Sequence, residues 1–244
     1  MCTVTFIPSG EGAYLVSNRD EKHYRADAIS PQAYQFPSGE IIFPKDADAG
    51  GTWIAMHGNG HAIVFLNGGL EAHTPEPPYR KSRGKILLDL INAESSSTEF
   101  RSLTFDAIEP FTAVIWENER LYECIWDGQE KYFIEKDKNQ PHIWSSVTLY
   151  EETIRSKRRQ WFNQWLEHHP EPGLSDILHF HQFTGEGDTQ NDLLMNRDGY
   201  VFTVSITGMQ LSRTKGEMVY LDLKNNRRSF IEMIFQQPTA ADQR

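Results

Sequence analysis

The opening residues CTVTFIP alternate: Cys2, Val4 and Phe6 fall on one side, and Thr3, Thr5 and Ile7 on the other. A period of two with β-branched residues predicts a strand. SGEG then reads as a turn and AYLVSNRD as a second strand, so the two form an antiparallel hairpin. A hairpin brings the start of its first strand to the end of its second, which places Cys2 beside Asn18–Asp20. The same pattern predicts strands at 40–44 (EIIFP), 51–57 (GTWIAMH) and 61–67 (HAIVFLN), the last two joined by a GNG turn. Residues 111–135 read as a three-stranded meander, with turns near Glu117–Asn118 and Asp127–Gly128. YVFTVSITGMQL and EMVYLDL supply two further strands towards the C-terminus.

Three segments carry helical spacing instead. Residues 84–95 place Ile86, Leu87, Leu90 and Ile91 on one face, and 150–170 is amphipathic until Pro170 ends it. LSDILHFHQF (174–183) follows as another helix. The stripe of Trp161, Phe162, Trp165 and Leu166 is expected to pack in the core. Many strands interrupted by helical regions predict an α+β fold with helices stacked on antiparallel sheets. No Pro-, Gly- and Ser-rich linker divides the chain, so 1–237 is read as one domain and 238–244 as a frayed tail.

At 244 residues and 39% hydrophobic content, the chain is long enough to bury one large core. A formal charge of −10 argues against nucleic acid, because its short basic clusters YRKSRGK and IRSKRRQ sit beside acidic residues. No apolar run has the length to span a bilayer, and no basic segment with an apolar core marks a secretory signal. Cys2 and Cys124 are too few for a disulfide framework. These features predict a soluble cytoplasmic protein with reduced thiols. No exposed apolar stripe marks a partner surface.

The position of Cys2 raises a chemical possibility. Removal of Met1 would leave a residue carrying a thiol and a free α-amine. That amine titrates at roughly 7.7–8.0 and can serve as the base for its own thiol. Such a site further needs a carboxylate to orient the amine, a cation to favour thiolate and amide donors for an oxyanion. Asp20, Arg19, Asn18 and Asn67 are placed to supply them. The tripeptide Asn-Arg-Asp alone carries little weight, since MNRDGYVF repeats it at 196–198 as an ordinary turn.

SNRDE (17–21) resembles the signature of the NRDE family, also called the transport-and-Golgi-organisation protein 2 family. GGTWIAMHGNGHAIVFLNGG (50–69) is similar to that family's following block. The family in turn resembles N-terminal-nucleophile (Ntn) hydrolases of the choloylglycine hydrolase and penicillin V acylase type. This resemblance implies a four-layer αββα sandwich and an amidohydrolase of small acyl amides with Cys2 as nucleophile. It implies Asp20 as the aspartate near the nucleophile, Arg19 as the loop arginine and Asn67 as an oxyanion donor. A further hydrolase asparagine falls at WSSV, where Ser146 offers a hydroxyl instead, and a late hydrolase arginine has no match within YVFTVSITG. The family's association with lipid and haem handling gives a second reading. In it the same fold binds or carries a hydrophobic small molecule (lipid, acyl or haem-like) without turnover.

Other residues read more plainly. His179 and His181 point in different directions on a helix and are expected to be ordinary helix residues. His57 and His61 read as surface turn histidines, and Cys124 as a buried strand thiol. Trp53 either walls a pocket beside the site or fills the core. No metal or cofactor is expected.

Overall fold

A computed structural model describes residues 3–10 and 12–236. Cys2 and the tail 238–244 lie outside the described residues.

The chain begins with the expected hairpin, β1 (Thr3–Ser9) and β2 (Gly12–Lys22), in which Thr3 pairs with Asn18 and Val4 with Ser17. β12 (Val201–Leu211) pairs with the far side of β2, followed by β13 (Lys215–Asp222) and β14 (Arg227–Ile234). β10 (His142–Ser145) pairs with the free side of β1, and the short β11 (Asn196–Arg197) with β12. This antiparallel sheet therefore runs β10-β1-β2-β12-β13-β14. A second antiparallel sheet runs in chain order. It comprises β3 (Ile29–Phe36), β4 (Gly39–Lys45), β5 (Ile54–His57), β6 (Ala62–Asn67), β7 (Phe111–Glu117), β8 (Arg120–Trp126) and β9 (Lys131–Lys136).

The side-chain period of two explains how the sheets stack. Val4, Phe6 and Leu15 of the first sheet meet Ile54, Val64 and Leu66 of the second in a core between them. The alternate residues face outwards onto helices. Ile7, Val16 and Ile206 pack against α3 (Glu152–His168) and α4 (Leu174–Phe183). Ile41, Ile63 and Ala113 pack against α1 (Arg83–Ile91) and α2 (Ser96–Ser102). The result is four layers in the order αββα, the expected fold class. Each central strand is apolar on both faces because each sheet is covered on both sides.

Five elements escaped the sequence pattern. β3 contains Pro31 and is mostly exposed or half-buried, β10 has four residues and β11 two. β14 is an edge strand whose outward residues Phe230 and Ile234 are exposed. α2 has little apolar content beyond buried Phe100, and is held at its start by polar groups. Ser95 caps it, and the buried carboxylate of Glu117 accepts from the Ser96 and Ser97 amides. His57 and His61 correct an expectation: both are buried, His57 bonded to Ser38 and His61 to Asn118. Cys124 is buried as expected, and burial pushes its thiol pKa up. The stripe on α3 faces the core through Phe162, with Trp165 and Leu166 partly buried.

The Gly-Gly-Thr-Trp segment shows why small residues stand there. A Cβ on Gly51 would lie 2.4 Å from the carbonyl carbon of Gly84, at the start of α1, while the Thr52 amide donates to the Gly84 carbonyl at 3.2 Å. Backbone thus packs on backbone, which fixes the approach of α1 to the segment that carries Trp53 into β5. Gly51→Ala is expected to lower unfolding free energy by about 1–3 kcal/mol through overpacking, measured by the denaturant midpoint; an unchanged midpoint would show that α1 can move away freely.

Candidate active site

The open end of the two sheets holds a cavity of about 590 Å³, lined by Arg19 from one sheet and by Trp53 and Asn67 from the other. Alternation along β2 aims Arg19 between the sheets, as it does Leu15 and Ser17. Its guanidinium lies 4.6 Å above the Trp53 ring and donates to Asp46 at 2.7 Å and Glu21 at 3.3 Å. Asp46 receives Arg25 as well at 2.7 Å. Its burial works against ionisation, but the Ala49 amide and the two arginines hold its carboxyl below the usual range. Trp53 is buried and lines the cavity beneath Arg19. Its indole N–H has no hydrogen-bond partner among the described residues.

Asn67 ends β6, half-buried, where the cavity adjoins a second one of about 220 Å³. Gly68 follows with φ +90°, and a Cβ there would meet Val147 at 2.5 Å. A side chain at 68 is excluded twice over, so the chain turns sharply and leaves Asn67 at the rim. Ser146 donates its hydroxyl to the Asn67 carbonyl at 2.8 Å and contacts Thr148 at 2.9 Å. The structure thus places Ser146 under the backbone that carries Asn67, with its proton directed to that backbone.

Asp20 occupies the other face of β2. Its two oxygens accept from Thr203 at 2.6 Å and Tyr150 at 2.8 Å. A bulge in β12 makes this possible: Thr203 pairs with Asp20 and Ser205 with Arg19, so the strand gains a residue at Val204. Without it, Thr203 would share the inward face of Ser205 and Thr207. The period-two pattern of YVFTVSITG gives no sign of this change of face.

Asn18 sits on the outward face as well and does not line the cavity. Its amide donates to the carbonyls of Leu193 at 2.7 Å and His181 at 3.2 Å, while its oxygen lies 2.5 Å from His181 Nδ1. The oxygen can only accept, so Nδ1 carries the proton and Nε2 accepts from the Thr5 hydroxyl at 2.8 Å. His181 is a fully buried latch joining α4 to both strands of the hairpin, and burial, followed by the charge of Arg158, pushes its pKa down to about 3.

Arg158 and Tyr150 are the residues that sequence reading missed. Arg158 is fully buried on α3, donates to the Thr3 hydroxyl at 2.5 Å and to the carbonyls of Asn191 and Asp192 at 2.9 and 2.8 Å, and lies 3.6 Å over the Tyr150 ring. The cluster IRSKRRQ reads as a solvated helix face; only packing distinguishes Arg158 from its neighbours. Arg197 of the second Asn-Arg-Asp also stands over Tyr150, at 5.3 Å, and donates to Leu149. Among the described residues no group of three His, Cys, Asp or Glu side chains could hold a metal ion, and no helix is long and apolar enough to cross a membrane.

His181 gives a signed pH effect. Its folded pKa lies below its unfolded value near 6.5, so below that pH the unfolded chain binds a proton that the folded chain refuses. Stability is present above about 6.5 and drains as pH falls towards 3, by about 1.4 kcal/mol per pH unit for one proton. His181→Gln is expected to flatten the pH dependence of unfolding free energy by that amount between pH 6 and 4, read from denaturant titrations. An unchanged slope would mean that the imidazole is protonated in the fold.

The same architecture occurs in solved structures. A mutant of the conjugated bile acid hydrolase from Clostridium perfringens superposes with a TM-score of 0.61 at 11% identity, covering 98% of this chain and 97% of the other. A second variant of that enzyme gives 0.59 at 10%, covering 97% of each chain. The Caenorhabditis elegans orthologue of N-acylethanolamine-hydrolyzing acid amidase gives 0.57 at 11%, covering 85% and 92%. At such identities the likeness is one of fold, that of the Ntn hydrolases. No curated protein matches the chain. A family model does match, over residues 1–189, and by it the chain belongs to the Transport and Golgi organisation 2 family.

Proposed function

We propose that the protein is a cysteine N-terminal-nucleophile amidohydrolase acting on a small acyl amide. The observation that carries this reading is the convergence of Arg19 and Asn67, from different sheets, on one cavity beside the start of β1. Thr3 pairs with Asn18. That pairing puts the start of β1 beside the end of β2, where Arg19 and Asp20 stand. The solved structures of like fold include a bile acid hydrolase and an amidase, which supports the reaction class.

In this mechanism Met1 is removed and the Cys2 α-amine takes the thiol proton. The sulfur attacks the amide carbonyl carbon, and the oxyanion is held by the Asn67 amide and a backbone N–H. Collapse breaks the C–N bond, and the departing amine takes the proton back from the ammonium. Water, losing its proton to the α-amine, then opens the thioester and releases the acid. Asp20 orients the amine, and Arg19, steadied by Asp46 and Trp53, supports developing negative charge. Ser146 holds the strand end of Asn67, and Asn18 locks the hairpin to α4. Eight of the cavity's lining residues are charged, which favours a polar substrate over the apolar cargo of a carrier.

The test is intact-mass analysis of untagged protein, followed by incubation with a panel of acyl amides. The expected result is a chain lacking Met1 that hydrolyses an amide and transiently gains the acyl mass on Cys2. Cys2→Ala should lose the adduct, and Asn67→Ala should slow turnover by about a hundred- to a thousandfold. A chain that retains Met1 when isolated from cells would sink the mechanism.

A further inference from the structure

Arg158 has no exposed surface, and among the described residues no carboxylate lies within ion-pair distance of it. Its donors are met by the Thr3 hydroxyl and the Asn191 and Asp192 carbonyls, and its face by Tyr150. These contacts satisfy hydrogen bonding but leave a full positive charge in the interior, a costly arrangement unless that charge is used. The groups around it are few. β2 presents Asp20, bonded to the Tyr150 hydroxyl; α4 presents His181, hydrogen-bonded with Nδ1–H to Asn18; β11 presents Arg197 beyond the Tyr150 ring. The Asp192 carboxylate is turned to the amides of Glu186 and Gly187. Arg19 belongs to the opposite face of β2.

We propose that Arg158 is a positioning residue for the N-terminal nucleophile: it anchors β1 through Thr3, and its buried charge disfavours protonation of the α-amine that precedes Thr3 in sequence and favours ionisation of the thiol near neutral pH. The proposal rests on the reading of Cys2 as nucleophile. A nearby cation disfavours a second positive charge and favours thiolate. The lowered pKa of neighbouring His181, to which Arg158 contributes after burial, is a sign of that field. Asp20, which accepts from Thr203 and Tyr150, acts in the opposite sense, so the shift that Arg158 produces is read against that fixed anion. Arg158 would fill the place of the late arginine that β12 lacks, reaching the same end of the hairpin from a helix.

The test is the pH profile of iodoacetamide alkylation at Cys2, in protein shown by mass to lack Met1, with buried Cys124 as an internal control. Wild type is expected to titrate below the ordinary thiol value of about 8.5. Arg158→Lys should keep that profile, and Arg197→Gln should leave it unmoved. Arg158→Met should shift it up by about one pH unit, which is roughly tenfold slower alkylation at pH 7. A folded Arg158→Met with the wild-type midpoint overturns the proposal while leaving the nucleophile reading intact. An ordinary midpoint in wild type also overturns the proposal, whereas the nucleophile reading fails only if Met1 is retained or no acyl adduct forms on Cys2. Should Arg158→Met not fold, Thr3→Val decides. It removes the anchor and keeps the charge, so alkylation must slow at every pH with no change of midpoint, and wild-type behaviour there overturns the proposal.

Discussion

Burial of the first sheet on both faces is the constraint on which the site depends. β1, β2 and β12 lie between a shared apolar core and the α3–α4 layer, so no side chain on them reaches water along most of their length. A polar residue in such a strand must be answered by another polar group. At the open end of the sheet those answers come in two separate sets. Arg19 faces inwards to Asp46, Glu21 and Trp53, whereas Asn18 and Asp20 face outwards to His181, Thr203 and Tyr150. One tripeptide therefore feeds two chemistries, separated by the thickness of a strand.

The outward set is a continuous polar network in an apolar layer. Thr3 and Thr5 from β1, Asn18 and Asp20 from β2, Thr203 from β12, Arg158 from α3 and His181 from α4 bond to one another or to shared carbonyls. Such networks are favourable when complete and costly when one member is missing. This network ties the beginning of the chain to helices more than a hundred and fifty residues away. It holds the start of β1 as part of the fold, where chain ends ordinarily fray. The inward set is different: it opens on the cavity, keeps the Asn67 amide at the rim and is built around a loop that Asp46 organises.

The second Asn-Arg-Asp makes the comparison sharper. At 196–198 the same three residues form a short strand and turn, with Asn196 capping the Gly199 amide at 2.8 Å. Its arginine nevertheless reaches the Tyr150 ring. The arginine of one copy thus walls the cavity and that of the other stands over Tyr150, and the difference lies wholly in what packs around them.

The sequence by itself determined the hairpin, the three-stranded meander, the existence of the helices α1, α3 and α4 and the layered α+β class, though it ran α1 four residues too far. All of these rest on periodicity over many residues, which is a local property. It also pointed to Arg19 and Asp20, because a two-strand register is set by a short turn, and to Asn67 as the end of a strand. Tertiary structure decided the rest. The β12 bulge moved Thr203 to the face of Asp20, since one extra residue reverses alternation without changing composition. Burial chose Arg158 from a run of basic residues, turned His57 and His61 from apparent surface groups into buried ones, and made His181, read as an ordinary helix residue, a buried latch. These outcomes depend on contacts between distant segments, and a pattern read along the chain holds no record of which distant group will answer a given side chain.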